Sequence, residues 1–303
     1  MKLTYFKGTE PNFGDELNKH MWSELVPTGF LDDDQDELFL GIGSILWDYL
    51  PKAPRKHVMG SGYGGYTPVP DVKDGSWNIV WLRGPMTAQK LGVDPKLAIT
   101  DAAVLLRATK LPEPASGIDI AFMPHFESIE RGRWKEVCAL ADITYLDPRD
   151  DTMTLIAKIR GARLLVTEAM HGAIVADALR TPFIPILPLN PDHRWKWSDW
   201  AQSVDLSLRQ IRLPPSSLRE AYIQLTGLQG KGARARAILD HPLTSPAQSA
   251  IRHLAASALR NTVARNAPHL SSDAVIARRT DQSLEALQRF VKSRRPYAGR
   301  VGD

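Results

Sequence analysis

Met170-His171-Gly172 is the stretch whose residue types and placement most directly suggest chemistry. It follows Leu164-Leu165-Val166, an apolar run suited to a buried parallel strand. It also opens a segment in which Met170, Ile174, Ala178 and Leu179 recur at helical spacing until Thr181-Pro182 stops the pattern, ahead of a second strand over Phe183–Leu187. His171 and Gly172 are therefore expected in the first helical turn at the carboxyl end of a strand, where open α/β sheets bind ligands. Free backbone N–H groups and the positive end of the helix dipole favour a phosphate or carboxylate there. Gly172 allows close approach, and the imidazole adds a proton donor. A histidine so placed also caps or packs, and the residues alone leave the two readings level.

The same grammar recurs upstream. Asn78–Leu82 reads as a strand delivering Arg83-Gly84-Pro85, with Pro85 in the first turn of a helix through Leu91. Arg83 suits a bidentate grip on a carboxylate or phosphate, or a structural salt bridge. Ile99-Thr100-Asp101 sets a carboxylate where it holds a sugar hydroxyl or caps a helix. Asn12-Phe13-Gly14-Asp15 turns into a helix with Leu17, Met21 and Leu25 inside. Gly41-Ile42-Gly43-Ser44 ends the strand Leu38–Leu40 before a short helix through Leu50. Gly60, Gly62 and Gly65 have the spacing of the dinucleotide fingerprint, but Tyr66-Thr67-Pro68-Val69-Pro70 forbids the helix it must open, so nicotinamide dinucleotide binding is rejected. That loop lies near a substrate or is a plain tight turn. His193–Trp200 places three tryptophans in six residues beside Arg194 and Lys196. Such rings stack on sugars or pack in a core, and the spacing of Trp197 and Trp200 leaves Trp195 and Lys196 as the expected exposed members.

The elements around these residues alternate strand and helix in two successive sets, which predicts an α/β protein of two doubly wound, Rossmann-like domains facing across a cleft. Leu111–Gly117, rich in proline and ending in glycine, marks the boundary. The expected domains are 1–114, 115–210 and a helical basic extension over 211–303. In that extension Ser245-Pro246 starts one helix and Leu284–Val291 forms the last. Residues 231–303 carry 13 lysines and arginines against 5 acidic residues, an excess of eight in a chain of net charge +4. A solvated helical face or peripheral contact with anionic lipid explains that excess. Nucleic acid is not expected, since Phe290 and Tyr297 are the tail's only aromatics and give no stacking platform. No apolar run approaches a membrane span, and Met1–Phe6 reads as a strand rather than a leader, so a cytoplasmic location is expected. A lone cysteine, Cys138, excludes an internal disulfide, and the scattered histidines have no metal-ligand spacing, so no metal is expected.

Asn12-Phe13-Gly14-Asp15, Gly41–Ser44, Gly60-Ser61-Gly62, Arg83-Gly84-Pro85, Thr100-Asp101-Ala102-Ala103, Met170–Ile174 and Lys196–Trp200, taken in order, resemble the polysaccharide pyruvyl transferase family. The resemblance spans residues 1 to about 205. It implies a fold like that of GT-B glycosyltransferases and transfer of a pyruvyl group from phosphoenolpyruvate to a sugar diol, giving a cyclic ketal and phosphate, with no further cofactor. His171 becomes the general acid, with Asp101 in the catalytic set. Arg83, Met170 and Gly172 become donor-binding residues, and Asp15, Gly43, Ser44, Gly62 and Trp195 fall to the acceptor or its loops. Many members carry an arginine two residues before the histidine, where this chain has Ala169, so Lys196 or Arg194 is expected to supply that cation. The partners implied are the small-molecule donor and a lipid-linked glycan. A nucleotide-sugar glycosyltransferase and a non-catalytic glycan-binding protein are the competing readings, because fold alone does not separate them.

Overall fold

The computed structural model describes residues 1–228 and 244–294. Two four-stranded parallel sheets form its frame. The first contains β1 (Lys2–Thr4), β2 (Glu37–Leu40), β3 (Arg55–Met59) and β4 (Trp77–Trp81), in that order. The second contains β5 (Ile120–Met123), β6 (Thr144–Tyr145), β7 (Leu164–Thr167) and β8 (Phe183–Pro185), in the order β6-β5-β7-β8. The helices are α1 (Phe13–Leu25), α2 (Pro85–Leu91), α3 (Phe126–Arg131), α4 (Trp134–Ala141), α5 (Thr152–Gly161), α6 (Met170–Ala178), α7 (Arg194–Ser203), α8 (Leu218–Thr226), α9 (Ser245–Arg265) and α10 (Asp273–Ser293).

The fold class expected from the alternation is present as parallel α/β, but the doubly wound order is confined to the second sheet. There the strand order reverses between β5 and β7, whose ends Met123 and Thr167 pair in register. The first sheet runs in sequence order, with no reversal, and no helix separates β2 from β3 or β3 from β4. The helix expected to run through Leu50 does not form. Ile45 and Leu46 are buried, while Trp47 and Tyr49 lie on an irregular turn before Pro51.

One apolar cluster runs from the first sheet (Phe39, Met59, Trp81) through α1 (Phe13, Leu17, Met21) to α6 and the second sheet (Ala173, Met123, Leu165). The fully buried indoles of Trp197 and Trp200 join it, matching their core spacing. Beyond residue 210 the helices return to both sheets: α9 packs on α4, and α10 on β4 and the 3-10 helix over Ala102–Ala108. The terminal helix is longer than its expected span because Ser272 caps it by accepting from Val275 N, while Thr280 and Ser283 on its inner face interrupt the apolar signal. Thr244, rather than Ser245, is the N-cap of α9. No described helix is long and apolar enough to cross a membrane. Of the basic tail, residues 229–243 and 295–303 lie outside the described residues. Within the described part, Arg279 donates to Ser203 O and Arg294 to Glu37 and His57.

Candidate active site

A cavity of about 480 Å³ opens at the carboxyl end of β7. Its wall brings together Met170 and His171 from α6, Asp15 from α1, Gly43 and Ser44 from the loop after β2, and Lys196 from α7. Met170 and His171 open α6, where the order of the second sheet reverses, and no side chain caps that helix. Its N-terminal N–H groups and dipole are therefore not taken up by a cap of the chain's own.

Asp101 stands behind His171. Its Oδ1 accepts from Ala103 N at 2.9 Å, capping the 3-10 helix, and its Oδ2 faces His171 Nε2 at 3.5 Å. Both of these facing atoms are buried and neither has a hydrogen-bond partner. Asp101 is fully buried, so it backs the imidazole and does not reach a sugar hydroxyl. Nδ1 of the same ring lies against Gly14, where a Cβ would stand 2.0 Å away, so only glycine lets α1 pass this close. Gly172 has a different part from the one expected: a Cβ there would meet Thr167 Oγ1 at 2.7 Å, so it seats α6 on β7 rather than opening the helix to a ligand.

Asp15 takes a 2.6 Å bond from Asn12 Nδ2, and burial raises its carboxyl pKa although that bond and the charges of His171 and Lys196 oppose the shift. Asn18 fixes the neighbouring loop. Its amide donates to Asp15 O and Ile42 O, and its oxygen accepts from Ile42 N and Trp22 Nε1. Every hydrogen-bonding site of that buried amide is thereby used, which holds Gly43 and Ser44 against the cavity.

Arg83 departs from the expected donor grip. It is fully buried, with Nε on Asp199 Oδ2 (2.9 Å), Nη1 on Ser44 Oγ (2.7 Å) and Nη2 on Tyr63 O (2.8 Å). Asp199 also accepts from Thr87 N and Thr87 Oγ1, so it caps α2 from a distant part of the chain. Gly62 is tied to the same lock, since a Cβ there would strike the Arg83 guanidinium at 2.1 Å.

Of the two cations expected to replace the arginine missing at 169, only Lys196 reaches the cavity. Burial and the nearby Arg83 charge lower its pKa to about 8, against the pull of Asp15 and Glu127, and its ammonium lies 5.8 Å from the Tyr66 ring centroid. Arg194 instead bonds Pro188 O and lines a separate cavity of about 280 Å³ with Glu168 and Glu220. Trp195 meets Tyr63 edge-on at 5.8 Å and is absent from the wall around His171.

Sequence spacing missed a second polar cluster beside the cavity. His125, Glu127 and His193 bring ligand atoms within 4.8 Å of one another, close enough to hold a metal ion. Their bonds are also satisfied within the chain: His193 pairs with Glu127 at 3.2 Å and with the Tyr66 hydroxyl at 2.8 Å, and Arg131 pairs with Glu127. Burial raises the Glu127 carboxyl, but the His193 bond and the Arg131 charge outweigh it and leave its pKa lowered. Burial and the neighbouring His193 hold the His125 pKa well below the ordinary imidazole range. Glu168 anchors this region by accepting from His125 N and Leu189 N. The motifs containing Gly14 and Asp199 were visible in the sequence, but their roles were not, because each depends on a partner more than 100 residues away.

Residues 12–190 match the model of the family described as polysaccharide pyruvyl transferase. The chain is also 36% identical, over 93% of its own length and 96% of the relative's, to the succinoglycan biosynthesis protein ExoV of Rhizobium meliloti (strain 1021). The matched region contains the capping Asp101, the close Gly14–His171 approach and the open start of α6. On these grounds the chain belongs to the polysaccharide pyruvyl transferase family and is a transferase enzyme of polysaccharide modification.

Proposed function

We propose that this enzyme transfers the pyruvyl group of phosphoenolpyruvate to two hydroxyls of an exopolysaccharide sugar, forming a ketal and releasing phosphate. The observation that carries the reading is the His171 imidazole, backed by Asp101 and set at the uncapped start of α6 in a cavity that also holds the Lys196 cation. The ammonium and the helix N-terminus suit a donor bearing a phosphate and a carboxylate. His171 delivers a proton to carbon 3 of the enol, which leaves carbon 2 open to attack. One sugar hydroxyl adds to carbon 2, the carbon–oxygen bond to phosphate breaks, and the second hydroxyl closes the ketal. Asp15, with its raised pKa, is the carboxylate placed to accept a hydroxyl proton. Residues 1–114 and 115–210 act as two α/β halves facing across a cleft in the GT-B manner, an assignment supported by a cavity whose wall draws on both.

The test is phosphate release from phosphoenolpyruvate in the presence of non-pyruvylated succinoglycan oligosaccharide, with the product followed by NMR. Acceptor-dependent phosphate and a new ketal methyl signal are expected. Release of nucleoside diphosphate from a nucleotide sugar, with phosphoenolpyruvate inert, would replace this reading by a glycosyltransferase.

A further inference from the structure

The chemistry at His171 occupies only the inner part of its cavity. Toward the mouth the wall changes character, with Phe6, Trp47, Tyr49, Tyr66 and Phe126 all lining it. Among the described residues, Phe6, Tyr49, Tyr66 and Phe126 are the aromatics with large solvent exposure, up to 65% for Tyr49, and every one faces this cavity. The other exposed large apolar side chains are aliphatic, and none lines it. Aromatic rings left in water around one opening are unusual for a chain that otherwise buries such groups, and they mark a binding surface.

The rings are ordered relative to each other. Trp47 and Tyr49 stack with centroids 5.2 Å apart and planes 12° from parallel, and Phe6 meets Trp47 edge-on at 6.3 Å. Both stacked residues sit on the irregular turn that continues from Gly43 and Ser44, so the loop fixed by Asn18 joins the reacting end to the platform. The cations suited to an anion stay at the inner end, with Lys196 and the start of α6.

We infer that the Trp47–Tyr49 platform, with Phe6, Tyr66 and Phe126, is the acceptor subsite, and that it takes a neutral hexopyranose ring of the glycan by stacking the sugar's C–H face on the rings. This rests on the pyruvyl-transfer reading for its direction, because the stacked sugar or its neighbour must present two hydroxyls to the donor beside His171. The Lys196 ammonium lies beside Tyr66 at the inner end, whereas among the described residues no cation sits over the stacked Trp47 and Tyr49 rings, and such a neutral pair suits an uncharged sugar, whose one face is apolar and whose edge carries hydroxyls.

The test is direct sugar binding without donor. Methyl hexopyranosides and non-pyruvylated succinoglycan oligosaccharide are titrated by saturation-transfer NMR and tryptophan fluorescence against the native chain, Tyr49→Ala and Trp47→Phe. Tyr49 is mostly in solvent, and Trp47→Phe keeps an aromatic ring, so both variants retain the fold. Tyr49→Ala is expected to weaken sugar binding about 3- to 10-fold, as loss of one aromatic contact does, with a smaller loss for Trp47→Phe. Phosphoenolpyruvate affinity by calorimetry stays within twofold of native. Undiminished sugar affinity in both variants overturns the assignment. So does failure of every sugar to bind the native chain, or binding to phosphatidylglycerol vesicles that Tyr49→Ala weakens in place of sugar binding. A native chain that binds sugar through Tyr49 yet releases no phosphate from phosphoenolpyruvate keeps the subsite and discards pyruvyl transfer.

Discussion

Arg83 and His171 stand at equivalent junctions, one following β4 into α2 and the other following β7 into α6, and the chain treats them in opposite ways. At the first junction the anion that a helix start attracts is already present. Asp199 fills that place, bonding Thr87 at the start of α2 and the Arg83 side chain together. At the second junction no side chain caps the helix, and the imidazole lines an open cavity. Strand-end position and residue type thus identify where an anion belongs. Whether that anion is a ligand or a carboxylate of the same chain is decided by an element folded in from far away, here α7.

The largest test of this contrast is His171→Gln. If the junction of α6 is the reacting one, the variant binds phosphoenolpyruvate within a few-fold of native but loses about 10²–10⁴ in rate, the usual range for a lost general acid. Its unfolding midpoint in urea stays near native. Arg83→Ala is expected to show the reverse pattern. Removing one member of a buried ion pair costs about 3–5 kcal/mol, because the Asp199 carboxyl is left buried without its partner. Urea unfolding reads that loss directly, and a variant of native stability with abolished donor affinity would return Arg83 to the donor site.

The smallest effect concerns Lys196, which α7 contributes from the same face as Asp199, one turn earlier. Its pKa is lowered to about 8, so its ammonium is lost as pH rises through that value, a range in which an ordinary lysine remains charged. The donor KM should rise about 3- to 10-fold between pH 7 and 9 as a charge-assisted contact disappears. Lys196→Met should flatten that rise, and an unchanged profile would remove Lys196 from the donor site.

Much of the fold was legible because it is written locally. Leu164–Val166 is strand, Pro85 opens α2, and Trp197 and Trp200 are core, all as their neighbours in sequence dictate. Strand order is not local, and the sequential first sheet reads as doubly wound in the sequence because the stretch through Leu50 after β2 has the look of a helix that does not form. In the site, His171, Asp15, Ser44 and Lys196 were recognisable by type and place. Arg194 was misplaced because two cations on one helical turn carry no mark of which face meets the cavity. The aromatic mouth was missed because Phe6, Trp47, Tyr49, Tyr66 and Phe126 are spread over three loops and a helix start, with no shared period.

The seating of His171 between Gly14 and Asp101 also bears on the proton balance of turnover. A ring packed on both edges keeps its two nitrogens in place through turnover, with Nε2 facing a buried carboxylate and Nδ1 held against Gly14. In the proposed reaction two hydroxyls give up two protons while the new methyl and the departing phosphate take up one each. The two hydroxyl protons therefore balance the two that the products take up, and turnover draws no net proton from solvent.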